Sequence, residues 1–496
     1  MVGNLLKHLF MKKYFFLTYI IGIFFFFSCE DNRMEGMYAD KVYFVNKGKY
    51  EVSGYLSNNE IQIDIPINRS GIGNEPIDVS LEIDEAALQN YETVDGNKFQ
   101  LLPNQNYALS NSSAQLEGDN RNAVVTVTID IKKLYTIQGV GEEKFALPFK
   151  LKANGVEFSE GGDKIVIIPT LTGGIRPGSG QLLWSKQLSE MGINQTDHFT
   201  ASIAVTSQYL FVNTRSADLK YYDRFTGELK GTIVLPFKGS LTNFTVANDE
   251  HDNILITNLR NAATGLANQT IYKISGTSAP VEFINLSHEF PNGRKLSIVG
   301  NLNEDALITS GVENSSKFLL WTVKQGKLVS QTPQVYQLDA AKIAWTNFGD
   351  IVPLSLDIND GYFAVGSVTR PGLGYFNVGG SMVGEIILSQ LGLPSQNNNN
   401  NNSIALINFN GARYLALATQ SSPSTMYASL LDVTRYQSLS KISSNSLVTY
   451  RTAPINTTNN SNYTADVQLK LAADGKSFIM YGLGTNGGIT ATKFTD

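Results

Sequence analysis

Two short stretches of this chain concentrate carboxylates. In "NDEHDN" (248–253), Asp249, Glu250 and Asp252 offer the oxygen ligands that a hard cation such as Ca²⁺ takes. The same residues lie between two apolar runs, which favours a solvated hairpin turn. "LDINDG" (356–361) resembles part of a calcium loop. It is one residue short of the Asp-x-Asn-x-Asp-Gly spacing and no Glu follows at the needed distance, so it too reads as a turn. A glycosidase needs two acids about 5 Å or about 6.5–9.5 Å apart. Asp218, Asp223, Asp350 and Asp357 are the acids a central funnel could gather, and their spacing alone does not place them together. Of the four histidines, His8 sits at the extreme N-terminus, and His198, His251 and His288 lack ligand spacing. No G-x-S-x-G, H-E-x-x-H or P-loop occurs. The glycines of "RPGLGYFNVGG" (370–380) lack the strand–helix setting of a dinucleotide site. Neither a metal nor a cofactor is expected.

Aromatic rings are the second kind of chemistry on offer. A ring face packs on the apolar side of a pyranose while amides and carboxylates take its hydroxyls. Tyr221, Tyr222, Trp345, Phe348, Tyr375 and Phe376 are the candidates. Trp345 and Phe348 stand out because "AWTNFGD" (344–350) is a long stretch between predicted strands that belongs to no repeat. The alternative for Trp345 is a side chain packed between neighbouring sheets.

The elements that would position these residues are strands. Charged residues make up 17% of the chain and the formal net charge is −5, with no Lys/Arg run, which excludes a phosphate-backbone binder. Gly, Asn, Ser and Thr abound beside 22 Tyr and 26 Phe, a composition of short strands and turns. From residue 202 onward one pattern returns six times: a strand, a polar turn, a second strand. The second strands are "YLFVNT" (209–214), "NILITN" (253–258), "ALITSG" (306–311), "YFAVGS" (362–367), "YLALAT" (414–419) and "SFIMYG" (477–482). The first strands include "SIAVTS" (202–207), "LSLDIN" (354–359) and "QLKLAA" (468–473). Third strands recur as "LKYYDR", "TIYKIS", "FLLWTV" and "YASLLD". Successive second strands start 44 to 63 residues apart, which suits propeller blades. A six-bladed β-propeller is expected over 181–496, with seven blades or one large β-sandwich as alternatives. The last unit stops at a third strand, so "QLLWSKQL" (181–188) is expected to complete it and close the ring. Trp184 there echoes Trp321. "LPSQNNNNNNS" (393–403) is low-complexity and reads as a loop.

Ahead of "LTGGIRPGSGQ" (171–181), a linker by composition, residues 40–170 show period-two strands such as "IQIDIPINR" (61–69) and "AVVTVTIDI" (123–131), with a short helix over Glu85–Tyr91. An immunoglobulin-like β-sandwich is expected. Tyr91, Leu101-Leu102-Pro103, Tyr107-Ala108-Leu109-Ser110 and Val125–Asp130 follow a pattern that resembles the N-terminal Ig-like module of Bacteroidetes lipoproteins encoded with polysaccharide-uptake systems. In that family the module is a spacer that opens both glycan-binding proteins and some family-18 glycoside hydrolases.

The N-terminus points to a location. Met11-Lys12-Lys13 and the apolar run Tyr14–Phe27 read as a signal peptide over residues 1–28, with Met11 as its start. The run is shorter than the roughly 20 apolar residues a membrane span needs. Ser28-Cys29 resembles a bacterial lipobox, which makes Cys29, the sole cysteine, the lipidation site and 29–39 a tether. Glu30-Asp31-Asn32 is similar to a surface-export signal of such lipoproteins. The expectation is an outer-membrane lipoprotein facing outward, with a periplasmic orientation as the alternative. Its expected partner is a poly- or oligosaccharide captured for an outer-membrane transporter. A protein-interaction or adhesion module, and a propeller glycosidase or lyase, are the competing functions.

Overall fold

The structure, a computed structural model, describes residues 39–56, 58–176, 178–194, 200–239, 241–260, 268–344, 349–366, 372–392, 400–422, 424–457 and 465–496. Cys29 and the expected leader therefore lie outside the described residues, as do Trp345, Phe348 and His198. The chain divides into two compact units. One comprises residues up to Thr170 apart from Tyr55–Ser57 and Gly139–Glu142; the other comprises those two segments with Leu171–Asp496.

The first unit is built on two sheets. One runs in the order Glu157–Phe158, Lys41–Phe44, Glu60–Ser70, Asn122–Asp130, Tyr107–Leu109. The other runs Gly48–Tyr55, Lys164–Thr172, Phe145–Ala153, Ile77–Ile83, Ser113–Leu116. Strand alternation buries one row: Ile61, Ile63, Ile65 and Ile67 lie inside while Gln62 and Asp64 are exposed. Tyr107 of one sheet meets Phe149 of the other edge-on, with centroids 6.5 Å apart. The short helix is a 3-10 turn, Glu85–Asn90. An α-helix, Ile131–Gln138, follows a strand that stops at Asp130. The Asp130 carboxylate accepts from Lys133 N at 3.0 Å, a capping bond that ends the strand one residue before the expected limit.

Among the described residues, the second unit holds six antiparallel sheets of four or five strands. Their first and second strands are Thr200–Val205 and Tyr209–Thr214; Thr245–Asn248 and Asn253–Thr257; Ser297–Gly300 and Ala306–Gly311; Gly349–Pro353 and Tyr362–Gly366; Asn400–Phe409 and Ala412–Ser422; Ala465–Leu471 and Ser477–Gly484. The first strand of each sheet lies against that of the next, and the sixth lies against the first. Six apolar clusters fill the spaces between consecutive sheets. One packs Ala204 and Phe211 of the first sheet on Val246 and Ile254 of the second. Another returns from Ile479 and Tyr481 of the sixth to Ile203 and Val212 of the first. With both faces covered, second strands are buried along their length rather than alternately, as in "LFVNT" (210–214).

Gln181–Gln187 pairs antiparallel with Gly488–Thr495 as the outer strand of the sixth sheet, so residues from both ends of the unit share one ladder. Two details differ from expectation. The fourth first strand is Gly349–Pro353, not 354–359. Asp357 instead caps a 3-10 turn, Ile358–Asp360, its side chain accepting from Asn359 N. Trp184 sits on an outermost strand and Trp321 on a third strand, so their echo marks no equivalence.

Candidate functional site

The six first strands converge on a buried polar hub. Lys295, just ahead of the third sheet, donates to Ala465 O at 3.0 Å and to Asp466 Oδ1 at 2.9 Å, both on the sixth. Asp466 Oδ2 accepts from Ile203 N of the first sheet. Asp350 of the fourth sheet accepts from Ser297 Oγ of the third at 2.7 Å and from Ile404 N of the fifth at 3.0 Å. Ser403 Oγ lies 3.1 Å from Asp350 Oδ2 and 2.7 Å from Asp466 Oδ1. One hydroxyl proton cannot serve two carboxylates at once. Burial pushes the Asp350 carboxyl up, against the pull of Lys295, which makes Asp350 the acid placed to keep a proton. Short strands meeting at an axis bring these side chains together, and every one of them joins a sheet to another.

Where the first strands end, a cavity of about 480 Å³ opens above the hub. Its walls are apolar: Ile298 and Val299, Val352 and Leu354, Ile404 and Leu406, Leu469. Its polar lining comes from Glu250, His251, Asn408, Arg413, Gln468 and Lys470. Arg413 rests over the Tyr436 ring, 5.0 Å from its centroid, and donates from Nε to Asn408 Oδ1 at 2.9 Å. Among the described residues nothing accepts from its Nη1. Lys470 donates to Glu250 O at 3.0 Å and faces Asp252 at 3.3 Å.

The acids at this rim act on the backbone. Asp249 is 1% exposed. Its Oδ1 accepts from His251 N and Asn253 N, and its Oδ2 from Asn253 Nδ2 and Leu302 N. "NDEHDN" is thus a turn whose carboxylate satisfies four donors, and no metal cluster appears among the described residues. Asp218 accepts from Leu235 N and pairs with Lys238; Asp223 accepts from Phe225 N and Thr226 N. With Asp357 in its cap, the four acids considered for a funnel do not share a site.

The four aromatic candidates among the described residues, Tyr221, Tyr222, Tyr375 and Phe376, pack within the sheets. Tyr222 is fully buried and donates to Met191 O at 2.8 Å, so its ring presents no face to a sugar. Tyr375, 5% exposed, donates to Asp360 O and packs edge-on against Tyr436. Phe376 is fully buried, and Tyr221 is half-buried against Tyr209 and Phe211. Both faces of each sheet are covered, so a third-strand ring goes inward whichever way it points. His288 is held near 4 by burial and by Arg260, and its Nδ1 accepts from Phe290 N. Arg413, Asn408, Gln468 and Lys470 were missed in the sequence. The available signal was position, since all four sit at or beside the cavity ends of repeating strands.

No curated protein matches this chain. Among solved structures it is similar to a DUF4623 family protein from Bacteroides eggerthii DSM 20697, at 13% identity over 85% of this chain and 98% of that one, with a TM-score of 0.50. That likeness is one of fold. It is also similar to a Bacteroides ovatus ATCC 8483 protein proposed to bind carbohydrate, at 12% identity, covering 85% and 98%, with a TM-score of 0.26. A third is Bacteroides thetaiotamicron EndoBT-3987 with Man5GlcNAc product, at 17% identity, covering 27% and 32%, with a TM-score of 0.22. Residues 38–157 match a family described as a "-like, N-terminal domain". Residues 182–490, more than half of the chain, match the family described as "Domain of unknown function (DUF8500)", and the chain belongs to that family.

Proposed function

We propose that this chain is an outer-membrane surface lipoprotein that binds glycan in the hub cavity and hands it to a neighbouring transporter. In this reading the six-sheet ring is a β-propeller and the first unit an immunoglobulin-like spacer, tethered through a lipidated Cys29. The cyclic packing of six sheets supports the first, the two facing rows of apolar strand residues the second, and the Ser28-Cys29 junction the third.

The observation that carries the functional reading is the cavity itself. Its volume falls within the roughly 300–1,000 Å³ typical of ligand pockets, and apolar walls under a few polar groups suit a ligand with one apolar face and a hydroxylated edge. A sugar unit would lay its C–H face on Val299 and Leu406 and offer hydroxyls to Asn408, Gln468 and Arg413. Binding is favoured over turnover because the buried acids nearby, Asp249, Asp350 and Asp466, already serve backbone amides and neighbouring side chains.

Affinity electrophoresis and calorimetry against a panel of neutral and acidic polysaccharides test this reading. Wild type should be retarded by at least one glycan. Leu406→Trp, which fills the cavity, should abolish that retardation while leaving the thermal melt in place. A panel in which nothing retards the wild type, or a Leu406→Trp protein that binds as before, defeats it. Cys29→Ser should shift the protein from membranes to the soluble fraction.

A further inference from the structure

Charge is spread unevenly around the hub cavity. Arg413, Lys470 and Glu250 line it beside Asp249, whose oxygens are taken by four donors. Lys470 is engaged within the fold: its ammonium donates to Glu250 O at 3.0 Å and to Asp249 O at 3.4 Å, and lies 3.3 Å from Asp252. Arg413 is held differently. It stands on the second strand of the fifth sheet, paired in register with Asn408 of the first. Its Nε donates to Asn408 Oδ1, and its guanidinium rests on the Tyr436 ring rather than on an acid. Among the described residues no carboxylate pairs with it, and its buried Nη1 has no acceptor. Glu250 lies in the turn between the first two strands of the second sheet, three sheets away around the cycle and so on the far side of the cavity. Its Oε1 accepts from Gly300 N at 3.2 Å.

A ligand hydroxyl would satisfy an open donor of Arg413 and leave its charge uncompensated. An oxyanion does both, because charge-assisted hydrogen bonds are the stronger kind and a guanidinium fork matches carboxylate and sulfate oxygens bidentately. Held by one side-chain bond and a ring face, the guanidinium can shift toward an incoming oxygen without breaking an ion pair. The apolar walls fix the rest of the ligand. Val299 of the third sheet, with Val352 and Leu354 of the fourth, covers the flank that leads to the fifth, so a sugar ring lying there carries its charged substituent to Arg413. Glu250 repels the same substituent on the far side, which leaves the ligand one orientation.

We infer that the cavity takes an acidic sugar, with Arg413 binding its oxyanion, a uronate carboxylate or a sulfate ester, and Glu250 setting its orientation. That the ligand is a sugar rests on the glycan-binding reading above; that it is acidic rests on Arg413.

Two sets of probes test this. Polygalacturonate with its methyl ester, and dextran sulfate with dextran, are compared by affinity electrophoresis; sodium galacturonate and sodium sulfate are titrated by calorimetry. Wild type should be retarded more by one charged polymer than by its neutral partner, and the pair that shows the difference identifies uronate or sulfate. Arg413→Gln should reduce that preference about tenfold to a hundredfold, the range expected for a charge-assisted contact. Arg413→Lys keeps the charge without the fork and should lie between the two. Glu250→Gln keeps an oxygen for Gly300 N, removes the opposing charge and should strengthen binding of the charged polymer. Should Arg413→Gln fail to melt cooperatively, Arg413→Lys and Glu250→Gln decide. Equal retardation of wild type by charged and neutral partners, or an unchanged preference in Arg413→Gln, overturns the inference and leaves the cavity reading standing. Weaker binding of the charged polymer by Glu250→Gln overturns it as well. A small anion bound through Arg413 with no polymer retarded upholds the oxyanion site and defeats polysaccharide capture. No anion bound and no polymer retarded overturns both.

Discussion

Lys295→Met asks whether charge holds the hub together. The lysine spans from the third sheet to the sixth, and its ammonium and the Asp466 carboxylate are each 3% exposed. Methionine keeps most of the stem and removes the charge. Asp466 is then buried beside Asp350, the two joined through Ser403. Breaking a buried pair by removing one partner costs about 3–5 kcal/mol. Domains of 150–250 residues lose roughly 2–4 °C per kcal/mol, so Tm should fall on the order of 10 °C. Lys295→Met/Asp466→Asn removes both charges and should recover most of that loss. The pH dependence follows from Asp350. Its carboxyl is raised in the folded chain by burial, so its contribution is fully present below the unfolded value of about 4 and lost as pH rises through the folded one. Lys295 lowers that folded value; without it the carboxyl rises further, and the deficit of Lys295→Met should be largest near neutrality and shrink toward pH 4. Differential scanning calorimetry from pH 4 to 8 measures this. A single variant melting within about 2 °C of wild type at pH 7, or a double variant no better than the single, refutes the reasoning.

Deleting residues 181–187 should abolish cooperative unfolding of the second unit, since Gly488–Thr495 would lose its outer partner; a truncated protein with the wild-type melt would show that the pairing does not close the ring. Tyr222→Phe should cost about 1 kcal/mol in urea denaturation, the worth of its bond to Met191 O, and leave glycan affinity unchanged. A change in affinity would return Tyr222 to the site. Asp249→Ala strands four donors and should destabilise by about 2–4 kcal/mol, while millimolar Ca²⁺ leaves the wild-type melt unmoved; a Ca²⁺-dependent rise in Tm would restore the cation reading.

Strands were legible where burial imposes a pattern. "IQIDIPINR" has one face to hide and alternates; "NILITN" has two and does not, and both runs fall on observed strands. "LSLDIN" misled because Ser355, Asp357 and Asp360 can bond locally: Ser355 Oγ donates to Asp360 Oδ2 and Asp357 caps the turn, so a run with strand periodicity folds as a 3-10 turn. The site was less legible. Aromatic type suggested Tyr222, Tyr375 and Phe376, yet a ring between two covered sheets is worth more to the core than to a ligand. Arg413 and Lys470 carried no motif. Only the radial position of each strand distinguishes a cavity residue from a surface one, and radial position depends on all six repeats at once.

The fate of the acids follows from the same geometry. Six short strands meeting at an axis have few neighbours there to complete their ladders, and buried amides left open would each cost about 1–3 kcal/mol. Asp249 serves the amides of residues 251, 253 and 302; Asp350 that of Ile404; Asp466 that of Ile203. Each carboxylate therefore replaces part of a ladder the narrow hub cannot supply. Chemistry would need an acid released from that duty, able to exchange protons with a substrate without loosening two sheets. Asp350 and Asp466 are bound to strands on either side, so a proton change on either alters the joint between sheets before it can alter a ligand. The ends of the strands carry no such load. Arg413, held by the Tyr436 ring and by Asn408, sits at such an end, and it is there that the ring can take hold of something without letting go of itself.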